Sequence, residues 1–236
     1  MPRVTIKTIA ASARLACGNG IFCLLIAGLS ACAPLRPAPR PQVYDLGPGA
    51  VASPAPGGAA LPAVVLAEVD APPALDGSAV VYRLAYSDAQ QLRPYALARW
   101  SMPPAQLVRQ RMREHLGQRR SVLNPAQGMA AQTPLWVLHL ELEEFSQLFD
   151  TVDHSTGLVR LRATLGRTAG RVGGQELVAQ RGFVVQRPAD GADAGAGVRA
   201  LTAAVDAAIA EVDQWLVQAQ AGAAAPPNVQ VNAARP

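Results

Sequence analysis

The chain has 236 residues, half of them apolar and 16% charged, with 20 Gly, 20 Pro and three Cys: one domain's worth of material with some low-complexity trim. This composition excludes collagen, a coiled coil and a polyanionic disordered chain. The formal charge of +4 would suit a nucleic-acid binder, but Arg3, Lys7 and Arg14 all lie in the first 31 residues, and without them 18 Arg face 17 acids. No basic field for nucleic acid remains.

Residues 1–31 predict an export signal. A positive n-region precedes an apolar stretch, densest from Ile21 to Leu29, that is too short to span a bilayer comfortably. It ends in Leu29-Ser30-Ala31-Cys32, which resembles the bacterial lipobox. Small residues before the cut fit a narrow protease pocket, and the Cys32 thiol is the nucleophile that takes the diacylglyceryl group. Cleavage there removes Cys17 and Cys23 with the signal, so the mature chain has no thiol left for a disulfide or a Cys-based metal site. The expected anchor is the membrane, through lipid on Cys32. Ala33, rather than Asp, follows the Cys; Asp there resembles the inner-membrane retention signal of enteric bacteria, so the expected location is the periplasmic face of the outer membrane.

Residues 32–62 form a Pro/Ala-rich linker with eight Pro after Cys32. Such a stretch favours extended polyproline geometry; Ala33 to Val43 reaches roughly 34 Å at about 3.1 Å per residue. The domain is expected over residues 63–218, with a disordered tail over 219–236.

Within the domain, Ala63–Val69 is a short β-rich run, and Ala79–Tyr86 and Tyr95–Trp100 predict a hairpin across Ser87–Gln91. Ser101 offers a helix N-cap with Pro103 and Pro104 in the first turn; Val108, Met112 and Leu116 form the buried stripe, with Arg109, Gln110 and Arg113 facing elsewhere. After Asn124-Pro125, Trp136, Leu138, Leu140 and Leu142 alternate with Val137, His139, Glu141 and Glu143, a strand with one wet face. Leu158–Leu165 alternates Val159, Leu161, Ala163 and Leu165 inward against Arg160 and Arg162. Glu176–Gln186 follows the Gly173-Gly174 turn, giving a three-stranded meander. Leu201, Val205, Ile209, Val212 and Leu216 recur at helical spacing over Val198–Gln218. The order β-β-β-α-β-β-β-α predicts an α+β two-layer sandwich, a mixed or antiparallel sheet with two helices packed on one face.

Candidate chemistry is sparse. His115, His139 and His154 lack the spacing of a helical zinc site, and no Cys can complete one. Glu143 and Glu144, being sequential, are expected on opposite faces of a strand, which excludes a paired-carboxylate site. Ser78 and Ser121 have no base partner or nucleophile elbow around them. Gly57-Gly58 and Gly173-Gly174 lack the strand–glycine–helix setting of a phosphate loop. No catalytic, metal or cofactor residue is therefore assigned, and a non-enzymatic protein is expected. Arg109, Arg111, Arg113, Arg119 and Arg120 cluster on and after the first helix, and Arg160 and Arg162 share a strand face: either a site for anionic headgroups or an acidic partner, or a solvated face.

Several pieces in order carry a family resemblance: Tyr44-Asp45-Leu46-Gly47 after the linker, a Val-rich strand ending at Ala71-Pro72-Pro73, Val81-Tyr82-Arg83, Tyr95 to Trp100 with Pro103-Pro104 and a Leu-containing helix. Leu140-Glu141-Leu142-Glu143-Glu144-Phe145, then Gly157–Leu165, then a closing helix with Ala208 and Trp215 complete it. From Tyr44 to Leu216 the chain resembles the ABC-type transport auxiliary lipoprotein family, which includes PqiC-like proteins. The resemblance implies a non-enzymatic periplasmic lipoprotein serving an ABC permease complex or an MCE-domain bridge that moves lipids or other apolar molecules, with a homo-oligomer compatible with that role. It transfers Cys32 alone as a functional position. A lipid-binding periplasmic carrier module is the alternative, and requires an apolar cavity of about 300 Å³ or more.

Overall fold

The computed structural model describes residues 39–49, 61–131, 133–168 and 174–224. Cys32, the signal over 1–31, most of the linker, Gly57-Gly58, Gly173 and residues 225–236 lie outside the described residues.

The described chain gives an α+β unit built on one eight-stranded mixed sheet. In chain order the elements are β1 (Gln42–Tyr44), β2 (Val64–Asp70), a 3-10 turn (Pro73–Leu75), β3 (Ala79–Leu84), β4 (Asp88–Trp100), α1 (Pro104–Gly117) and β5 (Val122–Leu123). Then come α2 (Pro125–Met129), β6 (Trp136–Phe149), β7 (Ser155–Thr168), β8 (Gln175–Pro188) and α3 (Ala194–Ala224).

Strand β6 organises the sheet. One of its sides pairs antiparallel with β7 along nearly its whole length, and β7 pairs likewise with β8, which is the predicted meander. Its other side is shared. Near Trp136–Glu141 it pairs parallel with β2, which carries β5 beyond it. Near Gln147–Phe149 it pairs parallel with β3, which carries the β3–β4 hairpin and then β1. Two small sheets thus fan out from one long strand.

The core lies between this sheet and α1 with α3. Leu138, Leu140 and Leu142 of β6, Val159, Leu161, Ala163 and Leu165 of β7, and Phe183 and Val185 of β8 meet Leu201, Val205, Ile209, Val212 and Leu216 of α3 and Val108, Met112 and Leu116 of α1. Burying side chains of this size contributes about 1.5–3 kcal/mol each. The predicted inward sets of β6 and β7 and the stripes of both helices are therefore in place. The one-turn α2 packs against Val65, whose strand neighbours Val64 and Leu66 point into the core, so α2 sits on the opposite face.

Four local expectations need correction. Ser101 is not the cap of α1: Pro103 holds that position without a side-chain bond, and the Ser101 N–H is used by Tyr44 instead. The expected order has no helix between the first helix and the second β block, yet Asn124 and Gln127 form a reciprocal capping box that starts α2. Residues 42–44, left in the linker by their composition, form a sheet strand. Helix α3 starts at Ala194 and runs to Ala224, beyond the Val198–Gln218 limits of its apolar repeat; Asp193 Oδ1 accepts the Ala196 N–H at its start, and Ala-rich sequence sustains its end.

A fifth correction concerns Glu143 and Glu144. The register of β6 against β7 shifts between Leu142 and Glu144, and a bulge there inserts one extra residue. Leu142 and Phe145 both remain in the core, so the two carboxylates share the outer face. Glu143 accepts from Arg162, and Glu144 from Arg83 at 3.0 Å.

Candidate functional site

The described segment from Gln42 to Gly49 behaves as a strap that fastens the start of the domain. Residues 42–44 add a parallel strand to β4, with Tyr44 level with Trp100. The Tyr44 carbonyl accepts the Ser101 N–H at 2.7 Å. Asp45 Oδ1 accepts the Gly47 N–H at 2.7 Å, an Asx turn that reverses the chain after Leu46 is buried in the core. Gly47 and Gly49 both have φ near +67°, between the 66° and 68° of the two residues, a region other L-residues avoid.

Arg111 is what the strap closes on. Its side chain projects from α1, only 7% exposed; its Nε lies 3.1 Å from Asp206 Oδ1 on α3, and its Nη2 donates to the Leu46 carbonyl. One guanidinium thereby ties α1, α3 and the strap. A methyl group at Gly49 would fall on that guanidinium. Arg111→Met should free the strap while the rest of the sheet stays folded. We expect amide exchange at Ser101, whose N–H the strap holds through the Tyr44 carbonyl, to rise by at least tenfold, equivalent to about 1.4 kcal/mol of local stability, against unchanged exchange in β6 and β7; unchanged exchange at Ser101 would remove Arg111 from this role.

Open clefts flank the strap. One, of about 440 Å³, lies between Gly49 and Arg111, Glu114, His115 and Gln118. A second, of about 560 Å³, is lined by Val43, Leu46, Val198, Thr202 and Ala203, with Arg199 and Asp206 at its border. Both exceed the volume expected for an acyl chain, but charged groups line each.

Below the strap, α1 and α3 are joined by a buried ionic clasp. Arg120, its side chain fully buried, places Nη2 2.7 Å from Asp213 Oδ1 and donates from Nη1 to Gln220 Oε1 at 3.1 Å. His115 Nε2 lies 3.3 Å from Asp213 Oδ2, and Arg119 Nη1 3.7 Å from it. Burial pushes the Asp213 carboxyl up, but the His115 hydrogen bond and the charges of Arg120, His115 and Arg119 outweigh it and hold the group below its ordinary value. At the other end of α3, the Tyr95 hydroxyl donates to Gln147 Oε1 at 2.8 Å, and Gln147 Nε2 donates to Ser155 Oγ at 2.8 Å. Burial, with Tyr82 and Asp193 adding to it, raises the Tyr95 phenol well above its ordinary value.

These contacts decide most of the residues singled out in the sequence. Of the five clustered arginines, Arg109 pairs with Glu68, Arg111 with Asp206 and Arg120 with Asp213; Arg113 donates to the Val122 carbonyl, and Arg119 is exposed. The cluster is chiefly a set of internal ties. His139 bonds Gln175, and His154 uses its backbone N–H on Thr151. Ser78 and Ser121 each offer a carbonyl to a strand N–H, of Trp100 and Val64. Arg162 is held by Glu143, and Arg160 stands exposed beside it. The strap and the buried state of Arg111 were missed; the signal for the first was Tyr44-Asp45-Leu46-Gly47 itself.

Known proteins agree with this architecture. A crystal structure of a DUF330 protein from Xanthomonas campestris superposes with a TM-score of 0.62 at 17% identity, covering 77% of this chain and 98% of that one. A second solved structure, of an uncharacterized protein, gives 0.54 at 14% identity over 75% of this chain and 99% of the other. At these identities the likeness concerns the fold. No curated protein matches the chain. A family model described as ABC-type transport auxiliary lipoprotein component matches residues 44–213, from the strap to the ionic clasp. The chain belongs to the ABC-type transport auxiliary lipoprotein component family.

Proposed function

We propose that the protein is anchored by lipid on Cys32 to the periplasmic face of the outer membrane, where it serves as a non-enzymatic accessory of an ABC permease complex or MCE-domain bridge that moves lipids or other apolar molecules. The family match beginning at Tyr44 carries this reading: the part of the chain that the family shares starts at the strap, immediately after a Pro-rich linker and a lipobox-like run. The anchor raises the local concentration of the domain at one membrane, which favours assembly without a tight pairwise interface. A non-enzymatic role is supported by the fate of the candidate acid–base groups, since His115, His139, Glu143 and Glu144 are each engaged by a neighbouring side chain. The carrier alternative has the cleft volume but meets charged borders at Arg111, Glu114, Arg199 and Asp206, which suit an acyl chain poorly.

Cys32→Ser tests the anchor. The variant is expected to lose incorporation of a clickable palmitate analogue completely, to remain uncleaved and to leave the outer-membrane fraction. Wild-type labelling and fractionation of this variant would refute the anchor. Deletion of the gene is expected to raise detergent sensitivity or impair apolar-substrate uptake, and no change in either would count against the transport role.

A further inference from the structure

We propose that the domain stands with its turn end toward the bilayer and presents its opposite end to a protein partner with an acidic face. This rests on the lipid anchor proposed at Cys32. The turn end is where Ala85–Ser87 and Asp150–His154 lie side by side, joined by the Ala85 N–H donating to the Phe149 carbonyl at 2.8 Å. The far end holds Trp136, Thr168 and Gln175, as the pairing of β6, β7 and β8 requires, and helix α2, whose Gly128 lies against Val65, the partner of Val137.

The direction of β1 sets the orientation. It runs parallel to β4, and β4 leaves the β3–β4 turn at Asp88 and travels away from the turn end. Followed backward from Tyr44 to Gln42, the chain therefore points toward the turn end. Gln42 lies opposite Ala98, and Arg99 opposite Ala79; β3 in turn reaches Gln147 of β6 by Tyr82. Gln42 is thus roughly level with Phe145, about 13 Å from the turn end and about 30 Å from the far end at about 3.3 Å per residue.

Reach and direction then act together. Ten steps from Cys32 to Gln42 span about 31 Å when fully extended as polyproline. For the far end to touch headgroups, the linker would have to double back on its exit direction and remain fully stretched, which forfeits its conformational entropy. The turn end needs neither. Tyr86 and Val152 are exposed at the two tips, with Asp88, Asp150 and Asp153 around them and Asp190 paired with Arg199; the linker, not charge, brings this end to the bilayer, and the carboxylates hold it off an anionic leaflet within about a Debye length. At the far end, Arg119, 3.7 Å from Asp213, and Arg167, level with Glu176 of β8, are exposed; these two guanidinium groups face away from the membrane and toward the partner, and Arg119 is the one of them that the sequence suggested for headgroups or an acidic partner.

The mature chain has no cysteine besides Cys32, so single fluorophores can be placed at Val152→Cys, where the native residue is 65% exposed, or Met129→Cys, where it is 83% exposed. Each lipidated chain is incorporated into phosphatidylethanolamine/phosphatidylglycerol vesicles carrying a headgroup-linked acceptor. Stronger donor quenching at 152 than at 129 is expected. Equal quenching, or the reverse order, overturns the orientation while leaving the anchor intact; chains that fail to stay on the vesicles overturn the anchor and the orientation together. Asp150→Lys with Asp153→Lys should increase quenching at 152 on phosphatidylglycerol vesicles but not on phosphatidylcholine vesicles, and no difference between the two would remove the electrostatic part. For the partner face, a photo-crosslinking residue at 129 is expected to form adducts with a component of the ABC or MCE assembly in cells, and one at 152 is not. Adducts from 152 alone would overturn it.

Discussion

Gly157→Ala is expected to destabilise the domain by about 2–3 kcal/mol, the upper part of the range for overpacking a well-filled core, which for a domain of this size corresponds to a fall in Tm of roughly 4–12 °C. Gly157 lies near the start of β7, directly beneath the first turns of α3. A Cβ there would stand 2.5 Å from the Ala200 carbonyl carbon and the Leu201 nitrogen, and 2.8 Å from the Ala200 oxygen. These are backbone atoms of a 31-residue helix. A flexible side chain could swing aside, but here the whole N-terminal part of α3 must lift. Lifting it also stretches the buried chain in which Tyr95 donates to Gln147 and Gln147 to Ser155. Gly182→Ala on β8 is the control. A Cβ at that position meets nothing within 4 Å, so its effect should stay within about 0.5 kcal/mol. Denaturant titration of the two variants gives the comparison. A Gly157→Ala protein as stable as Gly182→Ala would mean that α3 is not seated on β7 as described.

The close approach at Gly157 was not legible in the sequence, and the reason is general. Residue 157 entered the sequence reading only as the first residue of the Gly157–Leu165 piece of the family resemblance, because periodicity reports which face a side chain takes and nothing about what lies above it. Where one face is wet and the other dry, periodicity did well: Val159, Leu161, Ala163 and Leu165 against Arg160 and Arg162 came out as read. It failed within one strand when a bulge changed the count. The alternation of β6 holds from Trp136 to Leu142 and resumes out of step at Phe145, and no signal in the Glu143-Glu144 pair itself marks the extra residue. Strand order, and the sharing of one side of β6 between β2 and β3, depend on long-range pairing that local patterns do not carry.

Charge misled in a similar way. Arg111 looked like one more member of an exposed basic cluster, turned either to anionic headgroups or an acidic partner or to solvent, since arginine is seldom fully buried unless it is paired. Its partners, Asp206 and the Leu46 carbonyl, lie 95 residues downstream and 65 upstream. The short β1 was absorbed into the linker because Pro41 precedes it and only three residues form it. Propensity cannot recover so short a strand when the pairing to β4 supplies its stability. The motif beginning at Tyr44 was visible, however, and the strap built from it is what fastens the start of the domain.

Arg120→Ala should cost more than Gly157→Ala, about 3–5 kcal/mol at neutral pH, because it leaves a buried carboxylate without its main counter-charge. Asp213 is 7% exposed and Arg120 fully buried. Water cannot replace the lost guanidinium without opening the α1–α3 contact, and Gln220 Oε1 loses its donor as well. The pH dependence separates this explanation from a simple packing loss. In the native protein the folded Asp213 pKa lies below its unfolded value of about 3.9. The pair therefore contributes stability that is complete above that value and is lost as pH falls through the lower, folded pKa. Without Arg120, burial is opposed by His115 and Arg119 alone, the folded pKa rises, and protonation of Asp213 relieves the strain. The stability gap between native protein and Arg120→Ala should thus be widest near pH 7 and narrow steadily toward pH 4. A gap that stayed constant over that range would assign the loss to the missing arginine stem instead. Replacing both partners, Arg120→Met with Asp213→Leu, removes the stranded charge and should recover a large part of the loss; if the double variant were less stable than Arg120→Ala, the clasp would owe its effect to shape and not to charge.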